Sequence, residues 1–437
     1  MRRSIKGIYK DGILQTTNTQ SSGMTTASSF DSILRTVKAP LLLLLSVGLL
    51  GLPGCTSDSA GKDNTNPAEA GGFQAHQPNT YYHLKGFLGE MPISMELMEE
   101  TDYHNGYGHF FRGFYRYDRY GGPISVYGNL DSDKTLTLTE QGGWDSTPHI
   151  FQGRWDEKGK FSGKWINGNG KDEYPFDLRP NEDVVPLEGW GVEDSLAAFP
   201  HWEHSPALTY EAEWLQVKEG WGQPALTSFI EQRIAIGMLG EGYKEGEALP
   251  IGLEAQCQDY YEEYKAEMRS LYEAGMIDSL AEPDAFLSTS YNYNSSVQVY
   301  FNSPQLLTLG FTDYAYTGGA HGLFGTDVES YDLRNLRMLK LSDVLLPGYE
   351  DAVSKALDRA VRIKYNLQAA QALDAILFEK EIQPNENFGV TDKGIFFVYG
   401  PYEIAPYAAG EIELFVSFEQ ISEFVQAAWL PAELTEE

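Results

Sequence analysis

Cysteine is nearly missing from this 437-residue chain, which holds only Cys55 and Cys257. Two thiols so far apart are no disulfide framework, and neither has the paired spacing of a zinc site. Cys257 falls in a helical stretch and reads as a core residue. Basic residues are scarce as well: 32 Lys and Arg stand against 63 Asp and Glu, a formal net charge of −31. That balance argues against nucleic acid and against docking on anionic headgroups, and it suits basic partners. One long apolar run exists, Ala39 to Leu52, too short for a comfortable membrane span of ~20 residues. The motifs H-E-x-x-H, G-x-S-x-G and the Walker loop are absent, and nothing implies a cofactor or a metal. Opposed carboxylates for glycoside cleavage need no local motif and stay open.

What is there begins with an address. Arg35 and Lys38 precede the apolar run, and Leu52-Pro53-Gly54-Cys55 follows it. This resembles a bacterial lipoprotein signal, with Met24 as an alternative start. The resemblance implies cleavage of residues 1–54, lipidation of Cys55, and a cell-envelope location, lipid-anchored in the outer membrane and facing the periplasm or the cell surface. Residues 1–54 hold six basic and two acidic residues, so removing them leaves 26 against 61, a net charge of about −35. Residues 55–79 are rich in Gly, Asn, Pro and Ser and read as the lipidated Cys with a flexible tether.

Residues 80–180 alternate apolar and polar positions in short runs, for example I-S-M-E-L-M from Ile93 and L-T-L-T-E from Leu136. The spacing predicts an antiparallel sheet or small barrel of about eight strands. F-Q-G-R-W from Phe151 recurs as F-S-G-K-W from Phe161, a hairpin whose glycines leave room for rings. Those aromatics read as core, with glycan stacking as the alternative. Residues 181–205 mix Pro, Gly and acid and read as a linker; H-W-E-H (His201 to His204) in it reads as a solvated turn. Residues 206–437 predict an α+β domain with helices packed on a largely antiparallel sheet. Its helices are expected from Gln223, over Leu253 to Ala274, and over most of Tyr349 to Lys380.

Within that domain lies Y-T-G-G-A-H-G, Tyr316 to Gly322. Gly318, Gly319 and Gly322 suit a tight connection between strands. His321 could serve as a base only with an orienting carboxylate, for which Asp313 and Glu403 are candidates. Two prolines in P-Y-E-I-A-P-Y fix the backbone around Tyr402 and Tyr407 as an exposed aromatic surface or a cap on the core.

Together with Y-D-L, L-S-D-V-L and G-P-Y-E-I-A-P-Y-A-A-G, that heptapeptide resembles the family of unknown function DUF3298 over about 287–424. The best-understood relatives form the extracellular part of a lysozyme-sensing anti-sigma factor, and an accessory segment of the PdaC type precedes them. The resemblance implies a non-enzymatic envelope domain that binds lysozyme or peptidoglycan. It carries over Tyr316, Gly318, Gly319, His321, Tyr402, Pro406, Tyr407 and Gly410. The anti-sigma factor's transmembrane helix has no counterpart here; a lipid anchor stands in its place. Tyr316, His321, Tyr402, Glu403 and Tyr407 are thus the binding candidates. An envelope hydrolase using His321 and a structural assembly lipoprotein are the alternatives.

Overall fold

The computed structural model describes residues 73–75, 79–100, 109–141, 147–279 and 288–431. The lipidation candidate Cys55 and the proposed signal, residues 1–54, lie outside them.

Eight strands form a closed antiparallel barrel: β2 (Thr80–Leu88), β3 (Met91–Glu100), β4 (His109–Tyr117), β5 (Ile124–Leu130), β6 (Thr135–Glu140), β7 (Ile150–Trp155), β8 (Phe161–Ile166) and β9 (Glu173–Pro180), with β9 pairing back onto β2. Alternate residues point inward and fill the lumen; Leu84, Met95, Leu97, Phe111, Phe151 and Phe161 are wholly buried there. The rings of the F-x-G-x-W hairpin are therefore mostly core, as the pattern implies. Its glycines have a different cause than expected. Gly153 pairs with Gly163, and a Cβ on either would stand 2.2–2.3 Å from a carbonyl oxygen of the neighbouring strand. They are bare because two backbones approach closely, not to make room for a ring.

The remainder is built on a seven-stranded sheet in the order β1 (Gln74–Ala75), β10 (Leu187–Ala197), β11 (Ala207–Val217), β12 (Tyr291–Asn302), β13 (Leu306–Tyr316), β14 (Leu323–Asp332) and β15 (Arg337–Met338). Its one parallel pair, β11 with β12, needs a crossover. Helices α1 (Pro224–Leu239) and α2 (Leu249–Glu273) supply it and cover one face. Cys257 lies wholly buried on the inner face of α2, and burial pushes its thiol up to about 12. A second, three-stranded sheet of β16 (Phe388–Val390), β17 (Gly394–Tyr399) and β18 (Ile412–Ser417) carries the short helix α3 (Leu341–Val344) and the longer α4 (Glu350–Lys364). Hydrogen bonds from Thr308 Oγ1 to the Val390 carbonyl (2.7 Å) and from Val390 N to Ser330 Oγ (2.8 Å) fasten it to the large sheet.

Three expectations change. The expected linker, 181–205, contains β10. Glycine at the buried position 189 hid the strand's alternation, and it is needed there because a Cβ would meet Asn79 at 2.8 Å and the Met98 sulfur at 3.0 Å. Residues 74–75 of the expected tether pair with β10 as β1 of the large sheet. Helix α4 stops at Lys364 rather than running toward Lys380, where Asn366 takes a left-handed φ of 50°.

The barrel docks on the face of the large sheet opposite α1 and α2, using the outward side of β2, β3 and β4. At the centre of this junction is the Glu96 carboxylate, 1% exposed. Arg116 Nη1 donates to its Oε1 at 2.9 Å, and Tyr81 Oη donates to its Oε2 at 2.5 Å. His83 Nδ1 lies 2.8 Å from the same Oε2. Asn302 Nδ2 of β12 donates to the Tyr81 hydroxyl at 3.1 Å, and Asn302 also bonds both the amide and the carbonyl of Val185. Beside this network the rings of Phe114, Tyr300 and Phe396 stack in a column, 4.0 and 4.7 Å between centroids, one from each of the three sheets.

Burial alone would raise the Glu96 carboxyl, but His83, Arg116 and Tyr81 outweigh it and hold it at about 2. A depressed carboxylate contributes stability above its ordinary pKa and loses it as pH falls through the folded value. Glu96→Gln should therefore cost about 3–5 kcal/mol in denaturant unfolding near neutral pH. It should also flatten the loss of stability between about pH 4.5 and about pH 2. A variant as stable as the parent would mean the network does not hold the junction.

Candidate functional site

Strand β13 ends at Tyr316 and β14 begins at Leu323, so Y-T-G-G-A-H-G is the loop of a hairpin in which Ala315 pairs with Leu323. Gly318 and Gly319 sit at φ of 88° and 94°, which residues with a Cβ rarely adopt. Gly322 is needed for space: a Cβ there would lie 2.6 Å from the Tyr314 ring. Tyr316 Oη donates to the Gly319 carbonyl at 3.0 Å and closes the turn.

His321 is exposed at the loop's end, with Nδ1 2.9 Å from the Gly322 carbonyl. A carbonyl can only accept, so Nδ1 carries the proton. The imidazole lies flat on Tyr407, 3.9 Å between centroids and 22° between planes. Tyr407 Oη donates to the same Gly322 carbonyl at 2.7 Å. Tyr402, 38% exposed and at a φ of 66°, places its ring 5.6 Å from Tyr407, and Phe324 meets Tyr407 edge-on at 5.9 Å. The structure thus brings His321, Tyr402 and Tyr407 into one solvent-facing ledge, with Tyr316 bracing the loop that carries it.

Glu403 is not part of the ledge. Its carboxylate turns inward and accepts from Gly400 N at 2.9 Å and Asn385 Nδ2 at 3.0 Å, fixing the backbone that presents Tyr402. Asp313 does not orient His321 either. It accepts from Ser295 Oγ at 2.5 Å, and strand alternation sends it to the helix-covered face with Phe311, which packs at Gly237 of α1. Phe324 is the ledge residue that sequence reading missed. The signal was available in the hairpin register, which sets it opposite Tyr314. His201 and His204 are exposed in the β10–β11 loop. Among the described residues no group of three or more His, Cys, Asp or Glu is placed to hold a metal ion.

The family model for the protein of unknown function DUF3298 matches residues 342–419, and the model named Deacetylase PdaC matches 203–324. The PdaC match thus precedes the DUF3298 match along the chain. The crystal structure of a DUF3298 family member from Bacteroides fragilis is similar to this chain at 25% identity and a TM-score of 0.50, over 56% of this chain and 94% of that one. A DUF3298 family protein from Pseudomonas aeruginosa PAO1 aligns at 20% identity and a TM-score of 0.39, over 57% and 99%. No functionally curated protein matches. The DUF3298 match is narrower than the expected 287–424, and the heptapeptide falls in the PdaC segment. His321 on Tyr407 is therefore a contact between the two matched segments.

Two part-buried carboxyls lie in this half of the molecule. Burial raises Asp313 to about 7, helped by Asp327 and opposed by its Ser295 bond. Burial likewise lifts Glu413 to about 7, opposed by Lys364. A raised carboxyl stabilises the fold below its ordinary pKa, and that contribution is lost as pH climbs through the folded value. The unfolding free energy should accordingly be greater at about pH 5 than at about pH 8, by on the order of a few kcal/mol. Asp313→Asn should remove part of that slope. Equal or lower stability at the acidic pH would contradict these assignments.

Proposed function

We propose that the chain is a non-enzymatic binding protein of the cell envelope, tethered through a lipid on Cys55, whose ledge of His321, Tyr402 and Tyr407 binds a basic protein of the lysozyme kind. The observation that carries the reading is the state of His321. Its ring is stacked on a tyrosine and its Nδ1 is committed to a backbone carbonyl, while the two candidate orienting carboxylates bond elsewhere. A flat aromatic surface suits contact, and the Nδ1-protonated ring has no carboxylate behind it, which leaves Nε2 as an acceptor for a donor on the partner. The excess of acid, 63 residues against 32, favours a basic partner through steering. Among the described residues no helix is long and apolar enough to cross a membrane, and a lipid anchor requires none.

Calorimetric titration with lysozyme tests the reading. Affinity should fall steeply between low and high salt, and Tyr407→Ala should weaken it about tenfold or more with the barrel unaffected. Affinity that is flat with salt and unchanged by Tyr407→Ala would overturn the proposal. Capture by purified peptidoglycan in place of lysozyme would reject the basic protein and transfer the ledge to a glycan. Turnover of an envelope substrate lost in His321→Ala would reject the non-enzymatic reading.

A further inference from the structure

A cleft of about 420 Å³ opens where the barrel, the β12–β13 turn of the large sheet and the C-terminal end of the described chain meet. Its size is within the range of small-molecule sites, about 300–1,000 Å³. The ledge residues do not line it. Arg116 forms part of its wall although the residue is only 5% exposed. Among the described residues the guanidinium makes one hydrogen bond, from Nη1 to Glu96, and lies over the Phe301 ring at 4.4 Å. It has five N–H donors in a planar fork, so a buried cation aimed into a cavity keeps most of its hydrogen-bonding capacity for a guest. Lys85 adds positive charge at the same cleft, and Arg334 lines it while paired with Asp332 at 3.4 Å.

Carboxylates line it too. Asp118, which accepts from Ser94 Oγ at 2.7 Å, Asp392 and Asp183 share the wall with Arg116. In a chain with a net charge of −31, this is a local balance of opposite charges. A simple anion would meet the fork of Arg116 but also these carboxylates. A simple cation would meet the carboxylates but also Arg116 and Lys85. A guest carrying both signs meets each with its opposite. Trp429 supplies an apolar wall for the part between.

We propose that this cleft is a binding site for a zwitterion of the amino-acid or short-peptide class, its carboxylate on Arg116 and its ammonium on Asp118 and Asp392. Because Arg116 also holds Glu96, an occupant tightens the junction between barrel and sheet. The site is independent of the ledge.

The test titrates the full chain with alanylalanine, with its N-acetyl form, with its amide, and with alanine and the tri- and tetrapeptide. Alanylalanine, or one other length in the series, should bind and raise the melting temperature, and capping either end should weaken it about tenfold or more. Asp118→Asn should weaken the same probe about fivefold or more, with lysozyme binding unchanged, since Asp118 lies away from the ledge. Tyr407→Ala should leave the peptide affinity as it was. Equal binding of free and capped forms, no effect of Asp118→Asn, or no binding at any length would each overturn the proposal.

Discussion

The architecture depends on one buried carboxylate. Glu96 points out of a barrel whose own core is complete without it, into a junction where water cannot reach. Its charge is tolerable there only because Arg116, His83 and Tyr81 converge on it from strands on either side. Tyr81 then passes the contact to Asn302 on the large sheet. Such an ion pair adds little net stability over a well-packed apolar substitute. Its effect is geometric, because the hydrogen bonds are satisfied in one docking orientation. The column of Phe114, Tyr300 and Phe396 fills the space beside it and extends the same alignment to the second sheet. Three sheets thus meet at one junction, and Arg116 is left with one side in the junction and the other in the cleft.

The ledge follows from a second constraint, backbone geometry at a hairpin tip. Two glycines in left-handed conformations turn the chain after β13, and a third admits the Tyr314 ring beneath it. The Gly322 carbonyl then becomes a shared acceptor for His321 and Tyr407. That one oxygen joins a loop in the PdaC segment to a loop in the DUF3298 segment. The surface presented to solvent therefore belongs to neither segment alone, which gives a physical reason for the two to occur side by side in this chain.

Local pattern made much of this visible in the sequence. Period-two alternation marked the barrel strands, and three- and four-residue steps marked α1, α2 and the first half of the third expected helix. The clustering of glycines around His321 marked the turn. What escaped was long-range or concealed by glycine. Strand β10 lost its alternation because Gly189 sits where Asn79 and Met98 press in. The function of Glu96 could not be read from I-S-M-E-L-M, where it occupies an ordinary outward position. Its partners on β2 and β4 are set by strand register, and its link to Asn302 spans the chain. At the site, Tyr402 and Tyr407 were legible through their flanking prolines. Glu403 was misplaced because sequence does not say which way a side chain turns at a bend, and Phe324 was overlooked because its neighbour Tyr407 is 83 residues away.

The central claim is that the seam between the two segments is the contact surface. Hydrogen-exchange mass spectrometry of the chain with and without lysozyme tests it most directly, because it maps contact without altering any residue. The account predicts slowed exchange in peptides covering 316–324 and 400–410, with the barrel strands β5 to β8 unchanged. Protection confined to the barrel, or none at saturating lysozyme, would contradict it.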